Sequence, residues 1–132
     1  MRVIQGFPPN YKYIRAVLRP PLNTLFCYGD TIYNPGRLEL APFQVVHEAV
    51  HSARQMQVGP DAWWSEYLLD PQFRVAEETP AHQAEYEACA AHFGEGKRLE
   101  KCLDEIAARL SGPLYGRVMT YAAALKLIKG EG

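Results

Sequence analysis

The sequence predicts an α+β domain in which a small antiparallel β-meander precedes a helix-dominated C-terminal part. Three observations carry this. Short β-prone runs separated by the turn signals Gly29-Asp30 and Asn34-Pro35-Gly36 lie before Pro42. After Pro42 the chain turns alanine-rich, with apolar residues at helical spacing. Gly and Pro then recur at helix-length intervals. A chain of 132 residues suits one domain spanning 1–132.

Asn10 is placed to cap a short helix over residues 11–18, where Ile14, Val17 and Leu18 share a face and Pro20-Pro21 ends the run, with an extended segment as the alternative. The meander is expected from residues 24–28, 31–33 and 38–40. Pro42 fits the first turn of a helix running to about Met56, because its missing N–H is harmless there. Gly59-Pro60 stops that helix. A short one capped by Asp61 follows over 61–69, rich in aromatic surface from Trp63, Trp64 and Tyr67. Residues 73–92 are again helical, with Thr79-Pro80 marking either a kink or a fresh start. Leu99, Cys102, Leu103, Ile106 and Leu110 form an amphipathic stripe, and a last helix is expected over 114–129.

Hydrophobic residues make up 48% and charged residues 22%, a globular composition that excludes wholesale disorder. Fourteen basic residues against fifteen acidic ones give a net charge of -1, so no overall positive field favours nucleic acid. No apolar run reaches the ~20 residues of a membrane span, and the N-terminus lacks the apolar core of a signal peptide. The expectation is a cytoplasmic protein with no nucleic-acid or membrane partner. Cys27, Cys89 and Cys102 are odd in number and lack C-x-x-C spacing, which points to buried small hydrophobes rather than to a disulfide framework.

The segment that carries chemistry is His47-Glu48-Ala49-Val50-His51, an H-E-x-x-H pattern within a predicted helix. Histidines at i and i+4 share a helical face, so both imidazoles can converge on one Zn2+ ion. Glu48, rotated by about 100° from His47, is badly placed to ligate but well placed to take a proton from water at the ion. That division of labour is amide hydrolysis. A third protein ligand is required. Glu78, Ala81, His82 and Glu85 share one face of the downstream helix, Glu77 points away, and Glu78 is the preferred ligand.

With these residues the chain resembles the zincin metallopeptidases of the gluzincin type, in which H-E-x-x-H is followed on a later helix by a glutamate in an E-x-x-A pattern, here Glu78-Thr79-Pro80-Ala81. It is most similar to minimal gluzincins and small metallopeptidases encoded in bacterial and phage genomes, which place a meander before the motif helix and a W-W-x-x-Y-L segment after it, here residues 63–68. The resemblance covers about 31–87 and implies a zincin-like fold centred on the motif helix, with His47, His51 and Glu78 as zinc ligands and Glu48 as general base. Pro80 departs from the pattern and leaves Glu85 as the alternative ligand. The resemblance also implies an edge strand, Thr31-Ile32-Tyr33, that receives substrate as an added strand.

His82 is open to two readings, a partner that orients the site or a structural helix histidine. Trp63 and Trp64 read mainly as core. Among Tyr67, Tyr86, Tyr115 and Tyr121 no spacing rule selects an oxyanion donor. The basic residues, Arg109 included, read as solvated helix faces. The function expected is a zinc peptidase that cuts an internal bond of a peptide or protein substrate. The alternative is a catalytically inactive zincin-fold protein serving in binding or assembly. Oligomeric state is not set by the sequence.

Overall fold

A computed structural model describes residues 1–131. Three strands, β1 (Arg2–Ile4), β2 (Phe26–Tyr28) and β3 (Thr31–Tyr33), and six helices, α1 (Tyr11–Leu18), α2 (Pro42–Val58), α3 (Pro60–Leu69), α4 (Pro71–Phe93), α5 (Lys97–Leu110) and α6 (Tyr121–Ile128), make a helix-dominated α+β fold. A 3-10 turn, Pro113–Tyr115, joins α5 to α6.

The sheet differs from the expected meander. Its order is β1-β3-β2, with β1 parallel to β3 and β2 antiparallel to it. The N-terminal residues take the place foreseen for 38–40. Asn34 explains why: its side-chain amide donates to the Leu38 carbonyl (2.9 Å) and accepts from the Leu38 N–H (3.0 Å). This clip uses the groups a ladder would need and curls the segment into a loop. β3 is therefore the central strand, with both edges paired.

In α2, Pro42 occupies the first turn as expected, and the Gln44 side chain reaches back to accept from the Ala41 N–H at 2.7 Å. Gly59 ends the helix with φ 90°, a conformation costly for residues with a Cβ, and itself becomes the N-cap of α3. Asp61 thus sits in the first turn of α3 instead of capping it, and its carboxylate accepts from the Tyr28 hydroxyl. Asn10 precedes α1 without making a side-chain cap.

Asp70 does cap α4, accepting from the Gln72 N–H at 2.9 Å. The helix then continues through Pro80. Pro80 is exposed, and so is Ala76, whose carbonyl loses its helical donor to the proline ring. Glu78 and Glu85 consequently stay on one uninterrupted helix. The single long C-terminal helix does not form: Gly116 (φ 90°) and Arg117 (φ 52°) break the chain after the 3-10 turn, and Thr120 restarts it by accepting from the Ala123 N–H at 3.1 Å.

The apolar core joins Ile14 of α1, Phe26 of β2, Trp63, Trp64 and Tyr67 of α3, Cys89 of α4, Ile106 and Leu110 of α5, Tyr115, and Ala124 and Ile128 of α6. All three cysteines are free thiols. α2 packs most extensively along α4, and that contact brings the sequence motif and the downstream carboxylates together. Among the described residues, no helix is long and apolar enough to cross a membrane.

Candidate metal centre

The facing sides of α2 and α4 bury an unusual set of polar side chains: His47, Glu48 and His51 from α2, and Glu77, Glu78, His82 and Glu85 from α4. Buried polar groups at this density require partners. Their pairing divides them into distinct roles.

Three atoms converge. His51 Nε2 lies 3.0 Å from Glu78 Oε1 and 3.2 Å from His47 Nε2, and His47 Nε2 lies 3.2 Å from Glu78 Oε1. Ligand bonds of about 2.0–2.1 Å at tetrahedral angles would separate donor atoms by about 3.3 Å. The observed triangle has the size of one face of a tetrahedral metal site. Of the two carboxylates the sequence left open, Glu78 occupies this corner.

Glu85 serves the other side of the same imidazole. Its Oε1 accepts from His47 Nδ1–H at 2.9 Å, which turns the ring so that Nε2 faces the triangle. Its Oε2 accepts from Arg109 Nη2 at 2.5 Å. Arg109 is thus an ion-pair partner within the site, not the purely solvated residue the sequence suggested. Tyr67 donates to Glu78 Oε2 at 2.5 Å, freeing Oε1 as the outward acceptor. His82 Nδ1–H donates to the Glu78 carbonyl at 2.7 Å and lies 3.5 Å from Glu78 Oε1. His47, Glu78 and His82 form a buried group that could hold a metal ion. His51 completes the tighter triangle, whereas the Nδ1 of His82 is already committed to a backbone oxygen. Glu77 points away, as its spacing predicts, accepting from Trp63 Nε1 at 2.7 Å and Arg54 Nε at 3.0 Å.

Burial disfavours the charged imidazolium of His47, but hydrogen bonds to Glu78 and Glu85 outweigh it and lift the group to about 10. Burial likewise opposes ionisation of Glu78, yet His51 and His47 hold it well below the usual carboxylate range. Glu85 falls to about 2 because His47 and Arg109 overcome its burial. Glu48 moves the other way: burial raises it, only partly offset by His47 and His51. His82, fully enclosed and beside His47, drops to about 3 and stays neutral.

These shifts set the pH dependence of the metal-free fold. As pH falls from 6.5 toward 3, the unfolded chain protonates His82 and the native chain does not, so stability is lost at up to about 1.4 kcal/mol per pH unit. The contribution of Glu85 is lost over the lower interval from 4.5 to about 2. That of His47 is complete below 6.5 and disappears as pH rises through about 10. Glu48, raised by burial, gains stability as pH falls toward 4.5 and opposes His82 in that interval. Urea midpoints of the metal-free protein should therefore decline most steeply below pH 4.5, and again toward pH 10; a flat limb below pH 4.5 would contradict the enclosed neutral state of His82 and the ion pairs of Glu85.

Two spaces share His47 and Glu48 as walls. An inner chamber of about 50 Å³ is bounded by His47, Glu48, His51, Glu78, Tyr67 and Trp63, with Phe26 and Cys27 of β2 closing one side. It has room for an ion and water. A larger cleft of about 510 Å³ shares His47, Glu48 and Tyr115 with it and extends between the α1–β2 connection and the 3-10 turn. Trp63 and Trp64 are core residues, as the sequence suggested, and also wall the chamber.

The expected substrate strand is corrected. Thr31, Ile32 and Tyr33 lie in the central strand and pair with β1 on one side and β2 on the other, leaving no edge for a peptide. The outer edge of β2 is also engaged: the Cys27 carbonyl accepts from Gln55 Nε2 (2.9 Å) and Trp64 Nε1 (3.0 Å), and the Gly29 N–H donates to Gln55 Oε1 at 2.7 Å.

Sequence reasoning missed the roles of Tyr67, Glu85 and Arg109. The i, i+7 spacing of Glu78 and Glu85 was the available signal for two carboxylates on one face. Nothing local marked Tyr67 or Arg109. Removing the hydroxyl in Tyr67→Phe should leave Glu78 Oε2 without its donor and weaken metal binding about 10- to 100-fold, measured by competition with a chromogenic chelator. Unchanged affinity would show that Tyr67 does not hold the ligand. Comparison with protein-family models, with curated proteins and with solved structures finds no match to this chain.

Proposed function

We propose that this protein is a zinc-dependent metallopeptidase in which His47, His51 and Glu78 hold the ion and Glu48 is the general base. The observation that carries the reading is the triangle of two imidazole nitrogens and one carboxylate oxygen with sides of 3.0, 3.2 and 3.2 Å. The donor set fits zinc, which favours imidazole and carboxylate ligands in tetrahedral geometry and keeps one position open when catalytic.

Zinc bound there would supply a water of lowered pKa and polarise the scissile carbonyl. The chain supplies the rest. Glu48, at the junction of chamber and cleft, takes a proton from the attacking water on its carboxylate and returns it to the departing amine. Its burial-raised pKa suits both halves of that task. Tyr115 walls the chamber and the cleft, and no hydrogen bond engages its hydroxyl among the described residues, which supports it as the donor to the developing oxyanion. Tyr67 is occupied with Glu78, and Tyr121 pairs with Asp104 outside the site.

A second reading draws on the place of His82 in the metal-capable group. With His82 as a fourth ligand the coordination would be closed, and the protein would serve in binding or assembly. The bond from His82 Nδ1–H to the Glu78 carbonyl argues against it. Metal analysis of the purified protein, with its activity on a mixed-peptide library read by mass spectrometry, tests the proposal. One zinc per chain with new termini supports it; one zinc with no cleavage favours the closed site; a chain that takes up no zinc defeats both.

A further inference from the structure

Resting on the peptidase reading, the inference concerns what the cleft accepts. Extended substrates usually gain affinity by adding a strand to a sheet edge. Here β3 is paired on both sides, the outward Cys27 carbonyl of β2 already receives two side-chain donors, and the other edge strand, β1, contributes no residue to the spaces at His47 and Glu48. The space that does reach His47 and Glu48 is the 510 Å³ cleft, within the range of sites that enclose small molecules. Its walls include Leu18, Leu25, Pro113 and Leu114, an apolar lining suited to a short segment.

Two arginines are also among the residues that line this cleft, Arg19 and Arg109. Arg109 is tied through Nη2 to Glu85. Arg19 is exposed and forms no ion pair among the described residues. Its backbone is fixed at the cleft by a left-handed conformation (φ 46°), by its N–H bond to the Arg15 carbonyl (3.1 Å), and by Pro20 following it.

We propose that the cleft binds short peptide segments through a carboxylate received by Arg19. The planar guanidinium can take a carboxylate through two parallel hydrogen bonds. A free C-terminus and an acidic side chain both present that group.

The test measures binding apart from turnover. Calorimetry on the full-length Glu48→Gln protein, with equimolar zinc, compares a short leucine-ending peptide as free acid, the same peptide as its amide, and an amidated peptide carrying one internal glutamate. The free acid should bind about 10- to 100-fold more tightly than the amide, the range of a charge-assisted hydrogen bond. Arg19→Gln should erase this preference and Arg19→Lys restore part of it. Recovery of affinity by the internal glutamate would identify a side-chain carboxylate as the accepted form; no recovery would identify the C-terminus. Equal binding of acid and amide, or a preference that survives Arg19→Gln, overturns the inference. Wild-type turnover of the same peptides is scored separately. Cleavage without carboxylate preference removes this inference alone, whereas carboxylate-dependent binding without cleavage removes the peptidase reading alone.

Discussion

Replacing Glu48 with glutamine should abolish hydrolysis while leaving metal content unchanged. General-base catalysis contributes about 10²- to 10⁴-fold, and Glu48→Gln should lower kcat by that order. The geometry predicts the separation from binding: Glu48 belongs to neither the His47–His51–Glu78 triangle nor its supporting hydrogen bonds. Glutamine keeps the shape but cannot accept the proton. It also removes a carboxylate that burial disfavours, so the melting temperature should hold or rise. Steady-state kinetics beside metal analysis checks both halves. A Glu48→Gln protein that still hydrolyses at the wild-type rate would exclude Glu48 as the base, and one that loses its metal would place Glu48 in the coordination.

Removing a corner of the triangle should produce the complementary result. In His51→Ala two donors remain, and the loss of zinc affinity should exceed the about 10- to 100-fold cost of deleting an outer partner. For the wild type, ligand present at a thousand times Kd stabilises by about 4 kcal/mol, which appears as a zinc-induced rise in melting temperature. His51→Ala should lose most of that rise. The metal-free variant forfeits the His51 Nε2 contact with Glu78 but keeps the Tyr67 and His47 contacts to that carboxylate, so it should stay folded with reduced stability. Calorimetric melting with and without zinc makes the comparison. A full zinc-induced shift in the variant would mean that the ion sits with His47, Glu78 and His82 instead.

Both expectations depend on groups from helices distant in sequence, and this separates what was legible from what was not. α2 and its motif were readable because helical spacing alone puts His47 and His51 on one side and Glu48 off it. α1 was readable from its apolar spacing and from Pro20-Pro21. The choice between Glu78 and Glu85 was not, since both lie on the same face of α4. It turned on whether Pro80 would break that helix. The proline ring sits on the exposed side, where the lost hydrogen bond is least costly. The third strand was misassigned because β-propensity registers a pleated, half-buried surface and not a partner, and the Asn34 clip on Leu38 outcompeted ladder pairing.

By itself the sequence determined the α+β class, the helix carrying two imidazoles one turn apart, and the identity of the carboxylate beside them. These depend on periodicities of 3.6 and 2 residues, which are local properties of the backbone. The packing of α2 on α4 decided the remainder: which glutamate meets both histidines, that Glu85 and Arg109 orient His47 from behind, and that Tyr67 holds Glu78. It also decided that the strand expected to receive substrate is enclosed on both sides. Such relations join residues up to 38 positions apart. They follow from how apolar faces exclude water together, and no local sequence pattern encodes that arrangement.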